Sequence, residues 1–89
     1  MKAILVTTQH RGVFFGYVAD DQDMAARTMR LDNARCAISW ATKNGVAELA
    51  EIGPNRNSKI GSRANIAALH EITAVWECTE EAVKAWEAA

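Results

Sequence analysis

A chain of 89 residues with 49% hydrophobic and 24% charged side chains has the composition of one small globular domain, which excludes a second core and a disordered segment. Ten Lys and Arg against eleven Asp and Glu leave a formal charge of -1, so a general nucleic-acid binder, with its net basic excess, is not expected. No apolar run reaches the length of a secretory core or a membrane span, and a cytoplasmic protein is expected.

Lys2 to Thr8 is a short β-branched and aliphatic run, which predicts a buried strand. Gln9-His10-Arg11-Gly12 follows as a turn, with Gly12 able to take a positive φ. Val13 to Val18 is the second strand, paired with the first as a hairpin. Its two faces, Val13/Phe15/Tyr17 and Phe14/Gly16/Val18, are both apolar, so both must be covered by a barrel wall, a packed helix or another subunit. Gly16 marks a bend or a close backbone approach. Asp20-Asp21-Gln22-Asp23 reads as a solvated acidic turn, since a calcium loop needs more oxygen ligands at a defined spacing.

Ala26 to Leu31 is the next strand, Asp32-Asn33 a turn, and Arg35 to Ala41 a half-buried strand. In that last strand Cys36, Ile38 and Trp40 point one way, and Arg35, Ala37, Ser39 and Ala41 the other. Asn44-Gly45 breaks it. Val46 to Ile52 forms a short helix with Val46, Leu49 and Ile52 toward the core, stopped by Gly53-Pro54. Asn55 to Arg63 is the most polar stretch. Leu69 to Cys78 reads as one long strand, with His70, Ile72, Ala74, Trp76 and Cys78 in one phase. Thr79 caps a terminal helix that docks through Val83 and Trp86. The fold class is α+β: a strongly bent antiparallel sheet or open barrel of five to six strands, with one short internal helix and a C-terminal helix.

Catalysis finds little support in these residues. A nucleophile needs a base within hydrogen-bond reach, yet His10 falls in a turn and His70 in an apolar strand phase. Phosphate-binding glycine patterns, HExxH and paired CxxC are absent. Cys36 and Cys78 with two histidines at unrelated spacings specify no zinc site, and both thiols read as buried and reduced. No enzyme, metal or cofactor is expected. Binding has better candidates. Arg56, Lys59 and Arg63 stand among Asn55, Asn57, Ser58 and two glycines, donors that suit a phosphate or carboxylate and equally suit a solvated loop. Arg11 and Gly12 beside Phe14, Phe15 and Tyr17 suit a stacked base near its phosphates, or simply a strand contributing core aromatics. Trp40 and Trp76 suit the core.

The run His10-Arg11-Gly12-Val13-Phe14-Phe15-Gly16-Tyr17 resembles the signature of a family of short proteins from tailed phages and prophages. The similarity extends through Leu31, Ala34-Arg35, Ile38, Trp40, Leu49-Ala50, Gly53-Pro54, Lys59-Ile60-Gly61 and the ending from Glu77 to Trp86. That family carries no assigned activity. By analogy of size and β-rich build, the chain is similar to oligomeric phage sponges that sequester nucleotide-derived immune signals of the host. The analogy suggests a small anionic nucleotide-type ligand, and the donors and rings of this sequence supply the candidates: Arg11, Arg35, Arg56 and Lys59 for its phosphates, Phe14 or Trp40 for stacking on its base, and Asn33 and Asn55 for reading polar groups. A homo-oligomer is expected, because a small core with two apolar strand faces gains from a symmetric interface. The alternative is a phage inhibitor that contacts a host defence or replication protein through an exposed edge or patch. The acidic C-terminal third, with Glu71, Glu77, Glu80, Glu81 and Glu87 against Lys84, favours this second reading.

Overall fold

A computed structural model describes every residue except 41, 43 and 44. The Ala41 end of the expected strand and the Asn44 break lie outside the described residues. The elements are β1 (Lys2–Thr8), β2 (Val13–Val18), β3 (Met29–Ser39), α1 (Glu48–Glu51), β4 (Lys59–Ile60), β5 (Ala64–Leu69), β6 (Ile72–Glu77) and α2 (Glu80–Ala88). They build an open antiparallel sheet of order β4-β3-β2-β1-β6, with β5 also paired to β3, and two helices. The architecture is the expected α+β. No helix among the described residues is long and apolar enough to cross a membrane.

The hairpin of β1 and β2 runs in unbroken register from Lys2 opposite Val18 to Thr7 opposite Val13. In its turn the positive φ of 64° belongs to Arg11 rather than to the glycine. Gly12 serves space instead: a Cβ there would lie 2.5 Å from the Thr8 hydroxyl and 2.7 Å from the Phe14 ring.

Both faces of the hairpin are buried, as its sequence requires. Leu5, Val13 and Phe15 pack with Leu49, Ala50, Ala82 and Trp86 beneath the two helices. Ile4, Val6 and Val18 pack with Met29, Leu31, Ala34 and Ile72, so the first half of β3 folds across the other face. Each face is covered from within the chain, which removes the apolar faces as a reason for an oligomer.

The irregularity that divides the sheet's pairing lies in β3, which pairs with β2, β4 and β5. Ala26–Leu31 and Arg35–Ala41 are not two strands joined by a turn, because Met29 to Ser39 is continuous. Asn33 and Ala34 form a bulge within it, with Asn33 at φ 49° and the register against β2 shifting between Phe15 and Tyr17. The bulge bends the strand and turns its pairing edge. Gly16 lies opposite, where a Cβ would stand 3.0 Å from the Leu31 Cβ and 3.4 Å from the Ala34 Cα. Gly16→Val is expected to overpack this contact and to cost about 1–3 kcal/mol, read as a lower urea midpoint with an unchanged slope.

Three further local expectations change. Leu69 to Cys78 is broken at His70 and Glu71, where Glu71 adopts φ 58° and the chain leaves β5 for β6. His70 is therefore exposed in a turn rather than buried in an apolar phase. In the second half of β3 the buried side chains are Arg35 and Ala37, while Ile38 is 57% exposed. The internal helix is shorter than expected, and Ile52 faces solvent at 46% exposure. Thr79 does cap α2, its hydroxyl accepting from the Ala82 amide at 3.1 Å.

Candidate binding groove along strand β6

Strand β6 ends the sheet, paired with β1 on one side only. The Cys78 amide donates to the Ala3 carbonyl at 3.4 Å, so Cys78 faces β1. The antiparallel register is unbroken from Ile4 opposite Glu77 to Thr7 opposite Ala74, and period-two alternation turns the amides and carbonyls of Val75 and Glu77 outward. Among the described residues neither outward amide meets a protein acceptor. Natural edges are commonly blunted by Lys, Pro or a bulge. Here the run Ile72-Thr73-Ala74-Val75-Trp76-Glu77 carries a bulge at Thr73, between Ala74 opposite Thr7 and Ile72 opposite Thr8. The stretch from Ala74 to Glu77 has no Lys or Pro and only Glu77, at its end, as a charge.

A groove of about 1200 Å³ follows this edge. Successive residues of β6, from Ile72 to Val75, line it, which identifies its wall as a strand edge rather than one pleated face. The opposite wall is the chain from Met24 to Thr28. A smaller cavity of about 260 Å³, lined by Lys2, Ala3, Ile4, Met24, Glu77 and Cys78, continues the line of the edge past Met24. At the other end stand Gln9, Arg27, Thr28, His70 and Glu71. Thr28 and the His70 Nδ1 share a hydrogen bond of 3.2 Å, and Glu71 pairs with His10 Nε2 at 3.3 Å.

None of the eight residues expected to hold a ligand lines either cavity. Arg35 is the clearest correction. It is only 8% exposed, its Nε donates to the Gly61 carbonyl at 3.0 Å, and one terminal nitrogen donates to the carbonyls of Trp86, at 3.0 Å, and Ala89. Its guanidinium ties the end of α2 to β3 and is not presented to a phosphate. Phe14 packs against the core beneath the bent half of β3. Trp40 packs against the helix-covered core. Asn33 sits in the bulge, its amide donating to the Asn65 side chain at 2.9 Å. Asn55 organises its own turn by accepting from the Asn57 amide at 2.9 Å. Arg56 and Lys59 are exposed, as is Arg11.

Strand register nevertheless brings several of them to one end of the sheet. Thr7 opposes Val13, Phe14 opposes Cys36 and Ser39 opposes Lys59, so the Arg11 turn and the Trp40–Lys59 region share that end. Arg63 stands apart from them, bound to the Glu87 carboxylate at 3.1 Å. The same carboxylate accepts from the Tyr17 hydroxyl. Burial and this bond push the Tyr17 pKa up to about 12.

Chemically reactive groups are scarce. Cys36 and Cys78 are free and half-buried. Burial pushes the Cys78 thiol up to about 12 and raises that of Cys36, which keeps both protonated and poorly nucleophilic at neutral pH. Among the described residues no His, Cys, Asp and Glu cluster could hold a metal. Sequence reasoning missed the groove because its wall is main chain, and no side-chain motif marks which strand remains at an edge.

A family model described as a domain of unknown function, DUF6948, matches residues 1–86. No curated protein and no solved structure matches the chain.

Proposed function

This chain belongs to the DUF6948 family, and we propose that it is a non-enzymatic binding module that contacts another protein through the groove along β6. The observation that carries this reading is the pair of outward main-chain amides at Val75 and Glu77 on the regularly paired stretch of the edge, beyond the bulge at Thr73. Strand addition at such an edge gives affinity from main-chain hydrogen bonds and selectivity from the neighbouring side chains. In the phage setting that the sequence resemblance implies, the partner is a host defence or replication protein and the module acts as its inhibitor. Sequestration of a nucleotide signal is the competing reading. It needs convergent cationic side chains in a concavity, and Arg35 is withdrawn from that set by its bonds to α2.

Glu77→Pro tests the reading. Proline at an edge removes an outward amide while leaving the inner ladder intact. Protein incubated with extract from defence-activated cells is expected to retain a polypeptide at about one-to-one stoichiometry, and the variant to bind it at least about tenfold more weakly. Circular dichroism checks that the variant is folded. Release of a nucleotide-like species on heating, equally from both proteins, would overturn the reading in favour of sequestration.

A further inference from the structure

We propose that the groove takes the C-terminal tail of a partner polypeptide as a strand antiparallel to β6, its terminal carboxylate held by Arg27 and by the hydrogen-bonded pair of Thr28 and His70. This rests on the protein-contact reading above and specifies the part of the partner that is bound.

The two ends of the groove differ. At Ile72 the edge is already occupied, because the Ile72 amide donates to the Arg27 carbonyl at 3.0 Å. A strand lying along Glu77 and Val75 cannot run on past that bond, so it must turn away or end. At the opposite end the line of the edge continues past Met24 into the cavity beside Lys2 and Cys78. A chain therefore has a way in at one end and a stop at the other.

The stop carries the chemistry of a carboxylate site. The Arg27 side chain is exposed and has no acidic partner among the described residues. Beside it are the Thr28 hydroxyl and the His70 ring, both exposed, and the Gln9 amide. The one acid at this end, Glu71, is engaged by His10. A guanidinium with one further donor from the hydrogen-bonded Thr28–His70 pair matches the two oxygens of a carboxylate.

Direction follows from charge. An antiparallel guest enters near Glu77 and finishes at Ile72, which sets its last residue against Arg27. A parallel guest would bring an α-ammonium to the same guanidinium, and like charges repel. Over a strand of six residues, roughly 20 Å long, Val75 and Glu77 supply two donors and two acceptors to the guest backbone. Helix α2 of this same chain is not the guest, since Arg35 and the packing of Trp86 hold it in place.

The test uses two pools of random peptides of about six residues, identical except that one has free C-terminal carboxylates and the other is amidated. Binding is read from the backbone amide signals of Val75 and Glu77 in isotope-labelled protein and from fluorescence anisotropy. Free-carboxylate peptides are expected to bind and to shift both signals. Amidation, or Arg27→Gln, is expected to weaken binding about tenfold or more. The Arg27 side chain is exposed, and the Ile72 bond is received by its carbonyl, which Arg27→Gln retains; circular dichroism checks that the variant is folded. Equal binding of amidated peptides, or no effect of Arg27→Gln, overturns the carboxylate site while leaving protein contact at the groove intact. Absence of any shift at Val75 and Glu77 with both pools overturns the groove as the contact surface, and the carboxylate site with it.

Discussion

Trp86→Ala is expected to lower stability by about 3–5 kcal/mol, a large part of the total for so small a domain. The indole is fully buried and stacks on Phe15, with ring centres 5.1 Å apart and planes 6° from parallel. Its Nε1 also donates to the Leu49 carbonyl at 2.9 Å, so one side chain joins α2, β2 and α1. Truncation leaves a cavity between three elements and an unpaired buried carbonyl. Trp86→Phe separates the two contributions. It keeps most of the stacked area, loses the N–H donor, and is expected to cost only about 1–3 kcal/mol. Urea unfolding followed by far-ultraviolet circular dichroism measures both. Equal losses for the two variants would mean that the hydrogen bond, rather than the packed ring, anchors α2.

The second large effect is expected at Arg35. The last carbonyls of a helix have no partner within it, and α2 has no basic residue in its own last turn. Arg35, reaching from β3, supplies the missing donors and a positive charge at the negative end of the helix dipole. Arg35→Met keeps the apolar stem and removes these bonds, at an expected cost of about 2–4 kcal/mol. Hydrogen exchange should show the amides of α2 losing protection before those of β1 and β2. Arg35→Lys should recover only part of the loss, because a single ammonium cannot span the Gly61 and Trp86 carbonyls as a planar fork does. If Arg35→Met left stability unchanged and abolished binding of a nucleotide, the residue would belong to a ligand site after all.

These two residues also show what was legible in the sequence. Trp86 was readable as a docking residue because it lies at helical spacing from Val83 behind a good N-cap. Arg35 was legible as a donor but not as an internal one, since its partners are carbonyls distant in the chain. The two faces of Val13 to Val18 were readable because alternation is a local property. The bulge at Asn33 was not. An Asp-Asn pair carries the same signal for a turn as for a left-handed residue within a continuing strand, and only pairing with β2 and β5 decides between them. The break at His70–Glu71 carried no glycine or proline at all. Glutamate takes a positive φ there because both flanking strands are held by other partners, β5 by β3 and β6 by β1. The groove inherits this difficulty, for it exists only because β5 and β6, though adjacent in sequence, pair on different sides of the sheet.

The pairing of β1 with β6 joins residues far apart in the sequence, with Ile4 opposite Glu77. A strand synthesised early in this domain thus waits for one synthesised much later. Contacts of such long sequence separation place a protein among slow folders, on a scale of milliseconds to seconds. During synthesis, β1 and β2 can form their hairpin early, but β1 keeps an open edge until β6 has left the ribosome. Over that interval the nascent chain exposes a strand edge with Ile4, Leu5 and Val6 at its centre, the kind of surface on which chaperones act and aggregates begin.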